Sequence, residues 1–116
     1  MASNATRGAY YKARSKRWLQ KEGFQVADME LVRTVFTPYG QICTKRDQFG
    51  SDLMYLTKDL VVFVQVKGGM KPLSTLVKDA ARSFAKHEFP EHSRQELHVW
   101  RPRARKPEVV AWPLTT

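Results

Sequence analysis

Asp52, Gln65 and Lys67 are the residues of this chain whose types and spacing best suit chemistry. Asp52 follows Gly50-Ser51 at the head of one expected strand, and thirteen residues later the next ends in Gln65-Val66-Lys67-Gly68-Gly69. Side chains alternate across a strand, so Gln65 and Lys67 share a face, and a short turn at Thr57-Lys58-Asp59 can bring Asp52 beside them. Two oxygens and one ammonium would then converge. Hydrolysis of a phosphodiester needs a cation to neutralise the non-bridging oxygens and to activate a water. Hard oxygen donors suit Mg²⁺ or Mn²⁺. Asp52 would be the anionic ligand, with the Gln65 amide oxygen and the Val66 carbonyl as neutral ones. Lys67 would orient the water or stabilise charge developing at phosphorus.

The bland reading of the same residues is that Asp52 opens a strand as a turn residue, and that Gln65 and Lys67 mark where a buried strand emerges into solvent. Two features weigh against it. The apolar run from Leu60 to Val64 puts Gln65 and Lys67 at the exit of a central strand, where a polar group otherwise carries a burial cost. Gly68-Gly69 then leaves open backbone for a phosphate to approach.

The elements that must position these residues follow from the pattern. Residues 4–22 are good helix formers that end at Gly23, with Tyr11, Trp18 and Leu19 near one face and Ser15 between them. Residues 24–36 and 41–45 read as two antiparallel strands around a turn at Pro38-Tyr39-Gly40, the second strand short. A further strand pair is expected at 52–56 and 60–67. Leu73, Leu76, Val77, Ala80, Ala81 and Phe84 then recur at helical spacing, with Pro72 suited to the first turn. Residues 97–101 and 108–112 close the chain as two strands. The expected fold is α/β, a mixed central sheet flanked by helices in the order α-β-β-β-α-β-β.

Bulk properties narrow the partner. The 116 residues suit one domain spanning 1–116. Twenty Lys and Arg against 11 Asp and Glu give a formal charge of +9, which points to a polyanion such as nucleic acid. A ribosomal or RNA-packing role and adhesion to anionic lipid share that charge. Cys43 is the sole cysteine, so neither an internal disulfide nor a Cys-rich zinc site is available. No segment reaches the roughly 20 apolar residues of a membrane span. Residues 1–7 lack the apolar centre of a signal peptide, so a cytoplasmic location is expected, without a membrane partner.

Taken in order, the helix, hairpin, Ser51-Asp52, Gln65-Val66-Lys67, second helix and strand resemble the PD-(D/E)XK nuclease superfamily over nearly the whole chain. The resemblance implies a restriction-endonuclease-like core and a Mg²⁺-dependent DNA endonuclease. Within it, Arg7-Gly8 and a helix ending in Gly23-Phe24-Gln25-Val26 are similar to the archaeal-type Holliday junction resolvases and their phage relatives, which implies a homodimer acting on branched DNA. The Gln-x-Lys form also resembles Mrr-type restriction and VRR-NUC nucleases. Restriction-like or flap-processing activity, and a basic DNA-binding module without catalysis, stand as alternatives. The first helix of the resolvases carries a glutamate, and the equivalent position here is Lys12. Gln65 replaces the usual second acid, which leaves Asp52 as the one assured carboxylate. Asp47 is the nearest substitute acid in sequence and Glu22 a poorer one.

The basic residues expected to meet DNA phosphates are Arg7, Lys12 and Arg14 on the first helix, Lys45 and Arg46 before the site, Lys71 after it, and Arg103 and Arg105 in the last loop. With Arg101 and Lys106, that loop could grip a second duplex arm or be a solvated hairpin tip. His87, His92 and His98 have no metal-binding spacing and read as surface or helix-end residues. Trp18, Trp100 and Trp112 read as core or interface anchors.

Overall fold

A computed structural model describes the backbone of residues 4–47 and 50–112, and the side chains of residues 7–29, 37–40 and 50–112. Helix α1 spans Asn4–Lys21. It stops where the sequence requires: Gly23 has φ +95°, the Phe24 N–H reaches back to the Leu19 carbonyl at 3.2 Å, and the Gly23 N–H to that of Gln20 at 3.0 Å. This is the paired C-terminal cap that only a left-handed residue, most cheaply glycine, completes.

Five strands form the main sheet in the order β1-β4-β5-β6-β7, comprising β1 Val26–Asp28, β4 Leu53–Leu56, β5 Val61–Gly68, β6 Ser93–Trp100 and β7 Glu108–Trp112. Only β5 and β6 run parallel, joined by helix α2, Leu73–Phe84. The other neighbours are antiparallel. Central β5 explains its own composition. Val62 and Val64 pack with Leu19, Leu53 and Tyr55 on the α1 face, while Phe63 stacks on Phe89, which in turn touches Phe84 of α2. Both faces are covered, so an unbroken apolar run replaces alternation. A second cluster of Leu76, Ala80, Phe84, Leu97 and Val99 joins α2 to β6.

The expected mixed α/β class is found, with three corrections. Residues 24–36 do not make one strand, because the chain breaks at Met29, whose N–H donates to the Asp52 carbonyl at 3.0 Å. β1 before the break joins the main sheet. β2 (Glu30–Thr37) after it pairs with β3 (Gly40–Asp47) as a separate two-stranded sheet, turned at Pro38-Tyr39. β3 is as long as β2, not short. The hairpin is thus an insertion, and the main sheet with its helices keeps the order α-β-β-β-α-β-β. β6 also begins at Ser93 rather than Leu97. Its polar first half, Arg94-Gln95-Glu96, reads as loop in sequence, yet it pairs with Val62, Phe63 and Val64.

Candidate active site

The β4–β5 pair brings the three chemistry-bearing residues to one end of the sheet. β4 begins with Leu53 opposite Val64, and Asp52, in the bend just before it, donates its N–H to the same Val64 carbonyl at 2.8 Å. Residues opposed across an antiparallel ladder share a face, as do residues two apart on one strand. Gln65 and Lys67 therefore stand on the α2 face, in line with Phe63 and opposite Val62 and Val64, and Asp52 meets the edge of the same strand.

Each side chain has a distinct environment. The Asp52 carboxylate is half-buried, and its Oδ2 accepts the Val66 N–H at 2.7 Å, which holds it against the edge of β5. In an extended strand the N–H and C=O of one residue leave on the same side, so the Val66 carbonyl also heads toward Asp52. Gln65 is 6% exposed. Its Nε2 donates to the Gly50 carbonyl at 3.0 Å, and because a carbonyl demands a donor, that bond fixes which end of the amide is oxygen. The Oε1 so defined is buried and, among the described residues, is the one such side-chain atom without a hydrogen-bond partner. Leaving an acceptor in that state costs about 1–3 kcal/mol. Lys67 is exposed at the strand end.

Gly50 is a site residue that sequence reading missed. Its φ is +68°, and a Cβ there would come within 2.7 Å of Ser83 Oγ on α2. The Gly50-Ser51 turn can seat itself against α2 and present its carbonyl to Gln65 only without a side chain. The signal was present in the sequence as a glycine two residues before the aspartate.

Beyond Lys67, Gly68 and Gly69 serve different ends. A Cβ on Gly68 would fall 2.2 Å from the Tyr11 ring, so this glycine lets α1 lie on the strand. Gly69, at φ +116° with open space around it, turns the chain out of β5 and donates its N–H to the Trp100 carbonyl at 3.1 Å. A groove of about 570 Å³ runs here, lined by Arg7, Gly8, Tyr11, Gly68, Gly69, Met70 and Pro102. Arg101 braces its rim: Nη1 donates to the carbonyls of Gly69 at 3.0 Å and Lys71 at 2.7 Å, and Nε pairs with Glu108 at 3.2 Å. Arg101 is thus a strut and not a free phosphate ligand.

The other basic candidates separate. Arg7 lines the groove, and exposed Lys71 follows it. Lys12 lies 3.9 Å from Asp28, to which Lys16 also bonds at 3.2 Å. Arg14 sits across the sheet from the site, 4.4 Å over the Trp100 ring, with Nη2 donating to the Ala104 carbonyl at 2.7 Å. Arg103 and Arg105 are exposed in the β6–β7 loop, Arg103 at φ +63°. Glu22 is exposed in the turn after α1. The side chains of Lys45, Arg46 and Asp47 lie outside the described residues.

His98 corrects the surface reading of the histidines. It is fully buried on the α1 face, within a polar network. Trp100 Nε1 donates to Ser15 Oγ at 2.6 Å, and Ser15 Oγ lies 3.2 Å from His98 Nδ1. His98 Nε2 is 3.1 Å from Glu96 Oε1, which also accepts the Tyr55 hydroxyl at 2.8 Å, while Arg94 Nε reaches Glu96 Oε2 at 3.2 Å. Burial works to raise the Glu96 pKa. The hydrogen bonds from His98 and Tyr55 and the charges of His98 and Arg94 outweigh it, and the carboxyl ends below its ordinary range. Burial first, and then Glu96, push the Tyr55 phenol far up. A Ser-His-Glu string resembles a nucleophile relay in composition, but full burial denies it substrate, and Ser15 Oγ already receives the Trp100 N–H. The alternation Glu96, His98, Trp100 along β6 was the available signal.

The donors at this end of β5 fit a hard divalent ion in kind: one carboxylate, one orphaned amide oxygen and one backbone carbonyl. They fit it sparsely. Among the described residues no three His, Cys, Asp or Glu gather as a metal-holding group. No described helix is long and apolar enough to cross a membrane. No protein-family model matches the chain, and a search of curated proteins finds no match.

Proposed function

We propose that the chain is a divalent-metal-dependent DNA endonuclease, selective for branched structure in the manner of a Holliday junction resolvase and built as a single PD-(D/E)XK-like domain. The observation that carries this reading is the orphaned Gln65 Oε1, buried on the strand face it shares with Lys67 and next in sequence to the Val66 N–H that holds Asp52. A protein keeps such an acceptor where something else completes it. The main sheet's order of elements and the +9 charge support the same reading.

Asp52, Gln65 Oε1 and the Val66 carbonyl would hold Mg²⁺ or Mn²⁺, which when bound supplies Lewis acidity and a water of lowered pKa. The protein's own residues do the rest. The Val66 N–H keeps the Asp52 carboxylate turned to β5, and the Gly50 carbonyl keeps the Gln65 oxygen facing away from the turn. Exposed Lys67 offers a proton donor and a positive charge to the scissile phosphate, and so stabilises charge gathered on its oxygens. Arg7 would receive the adjoining phosphate in the groove past β5. Paired cuts require a second copy, so the active species is a twofold homodimer, acting in the cytoplasm of a prokaryote or a phage-infected host.

One observation favours a second reading, a basic DNA-binding module without catalysis: the sparse acid count around Asp52. Incubation with four-way junction, flap and linear duplex DNA in Mg²⁺ or Mn²⁺, beside Asp52→Ala, separates the readings. Symmetric nicks on the junction, lost in Asp52→Ala, are expected. Cleavage of flaps or linear duplex instead assigns a restriction-like or processing nuclease. Binding with no cleavage in either metal overturns the enzyme.

A further inference from the structure

Across the sheet from Asp52, the C-terminal half of α1 and the β6–β7 loop enclose a cleft of about 240 Å³, lined by Arg14, Arg17, Trp18, Lys21, Trp100 and Arg105. We propose that this cleft is a second nucleic-acid site, which holds the phosphodiester backbone of a strand on the face opposite the candidate active site. The proposal rests on the nucleic-acid reading above only for the identity of the polyanion.

Charge compensation is the first argument. Along the same helix Lys12 and Lys16 face Asp28, and elsewhere Arg94 meets Glu96 and Arg101 meets Glu108. The cleft contains four cations and no carboxylate. Among the described residues Arg17, Lys21 and Arg105 have no acidic partner. Like charges brought together without counter-charge repel one another, and an anion between them removes that repulsion.

Preorganisation is the second. Arg14 is clamped between the Trp100 ring and the Ala104 carbonyl, and Trp100 is itself tied through Nε1 to Ser15. The guanidinium is therefore placed before any ligand arrives, and little side-chain freedom remains to be lost on binding. Half-buried Trp18 adds a ring edge to the same wall. Cations interleaved with aromatic rings suit a nucleic-acid strand.

Size and lining select the ligand. The volume falls below the roughly 300–1,000 Å³ of sites that enclose a small molecule, so a run of backbone phosphates fits better than a swallowed nucleotide. No aliphatic side chain lines the cleft, and its tryptophans are buried (Trp100) or half-buried (Trp18), which leaves little apolar surface to insert into lipid.

The test is fluorescence anisotropy of the full chain with labelled duplex and junction DNA in EDTA, where cleavage plays no part. The triple variant Arg17→Glu, Lys21→Glu, Arg105→Glu changes three exposed residues and is compared with a control of equal charge change, Lys58→Glu, Lys78→Glu, Lys86→Glu. The cleft variant is expected to lose at least about tenfold more affinity than the control. Its salt dependence should flatten by roughly 0.9 in log–log slope for each phosphate contact removed. The neutral variant Arg17→Gln, Lys21→Gln, Arg105→Gln should show the same ranking to a smaller degree, which guards against a fold disturbed by the added acids. Equal losses in cleft and control variants overturn the proposal. So does a cleft variant that loses binding to phosphatidylserine vesicles but keeps DNA. If the cleft variant loses binding while Asp52→Ala still cuts, the nuclease site is misassigned and the cleft stands.

Discussion

The two faces of the central sheet treat buried polar groups in opposite ways. On the α1 face, Glu96 accepts from Tyr55, His98 and Arg94, and Ser15 links His98 to Trp100, so the members saturate one another. On the α2 face Gln65 Nε2 bonds the Gly50 carbonyl while its Oε1 has no hydrogen-bond partner among the described residues, and the Asp52 carboxylate is turned to the strand edge by the Val66 N–H. The first arrangement is closed and serves the fold. The second is oriented but incomplete, and serves something the chain does not itself provide. A carboxylate, a histidine and a serine in contact are thus weaker evidence of function than a single acceptor left over.

The largest effect should come from opening the closed face. Glu96→Ala would strand the Tyr55 hydroxyl and the His98 and Arg94 donors, and urea unfolding should show a loss of about 3–5 kcal/mol. The same residue sets the acid limit of stability. Its folded pKa lies below the ordinary 4.5, so the unfolded chain binds more protons at low pH. Its contribution is complete above pH 4.5 and is lost as pH falls from there through the folded value. Urea midpoints should therefore fall below pH 4.5, and the fall should be shallower in Glu96→Gln.

On the incomplete face the effects should move from stability to turnover. Lys67→Ala removes an exposed cation, so thermal unfolding should stay close to wild type. Strand cleavage should slow by about 10²–10³-fold, as for loss of one donor to a developing oxyanion. A variant cutting at the wild-type rate would remove Lys67 from the chemistry. The smallest stability change is expected for Gln65→Met. It loses the bond to Gly50 but also removes an unsatisfied oxygen, and these opposing effects should leave unfolding within about 1 kcal/mol of wild type. A large loss there would show that Gln65 belongs to the core in the way Glu96 does.

How much of this was legible in the sequence depended on periodicity. The long β5 apolar run and the helical spacing of α2 identify their elements because burial on two faces or one stripe leaves a repeating mark. Gln65 and Lys67 share a face because strand alternation permits nothing else, and Asp52 is tied to the same strand by its bonds to Val64 and Val66. The break at Met29 left no such mark, since β1 and β2 are both β-forming and differ only in which partner their backbone meets. Glu96 and His98 were obscured for another reason: a buried charge is legible only when its partners are known, and Ser15 and Tyr55 are distant in sequence. Arg101 read as one more loop cation because its acceptors are backbone carbonyls, which leave no trace in residue type.

The most direct test of the incomplete face is Mn²⁺ binding followed by electron paramagnetic resonance, without DNA, in wild type, Asp52→Ala and Gln65→Met. The account predicts one site per chain in the wild type, abolished in Asp52→Ala and weakened in Gln65→Met while that variant remains folded. Undiminished Mn²⁺ binding by folded Gln65→Met would contradict it, because the orphaned oxygen would then be idle.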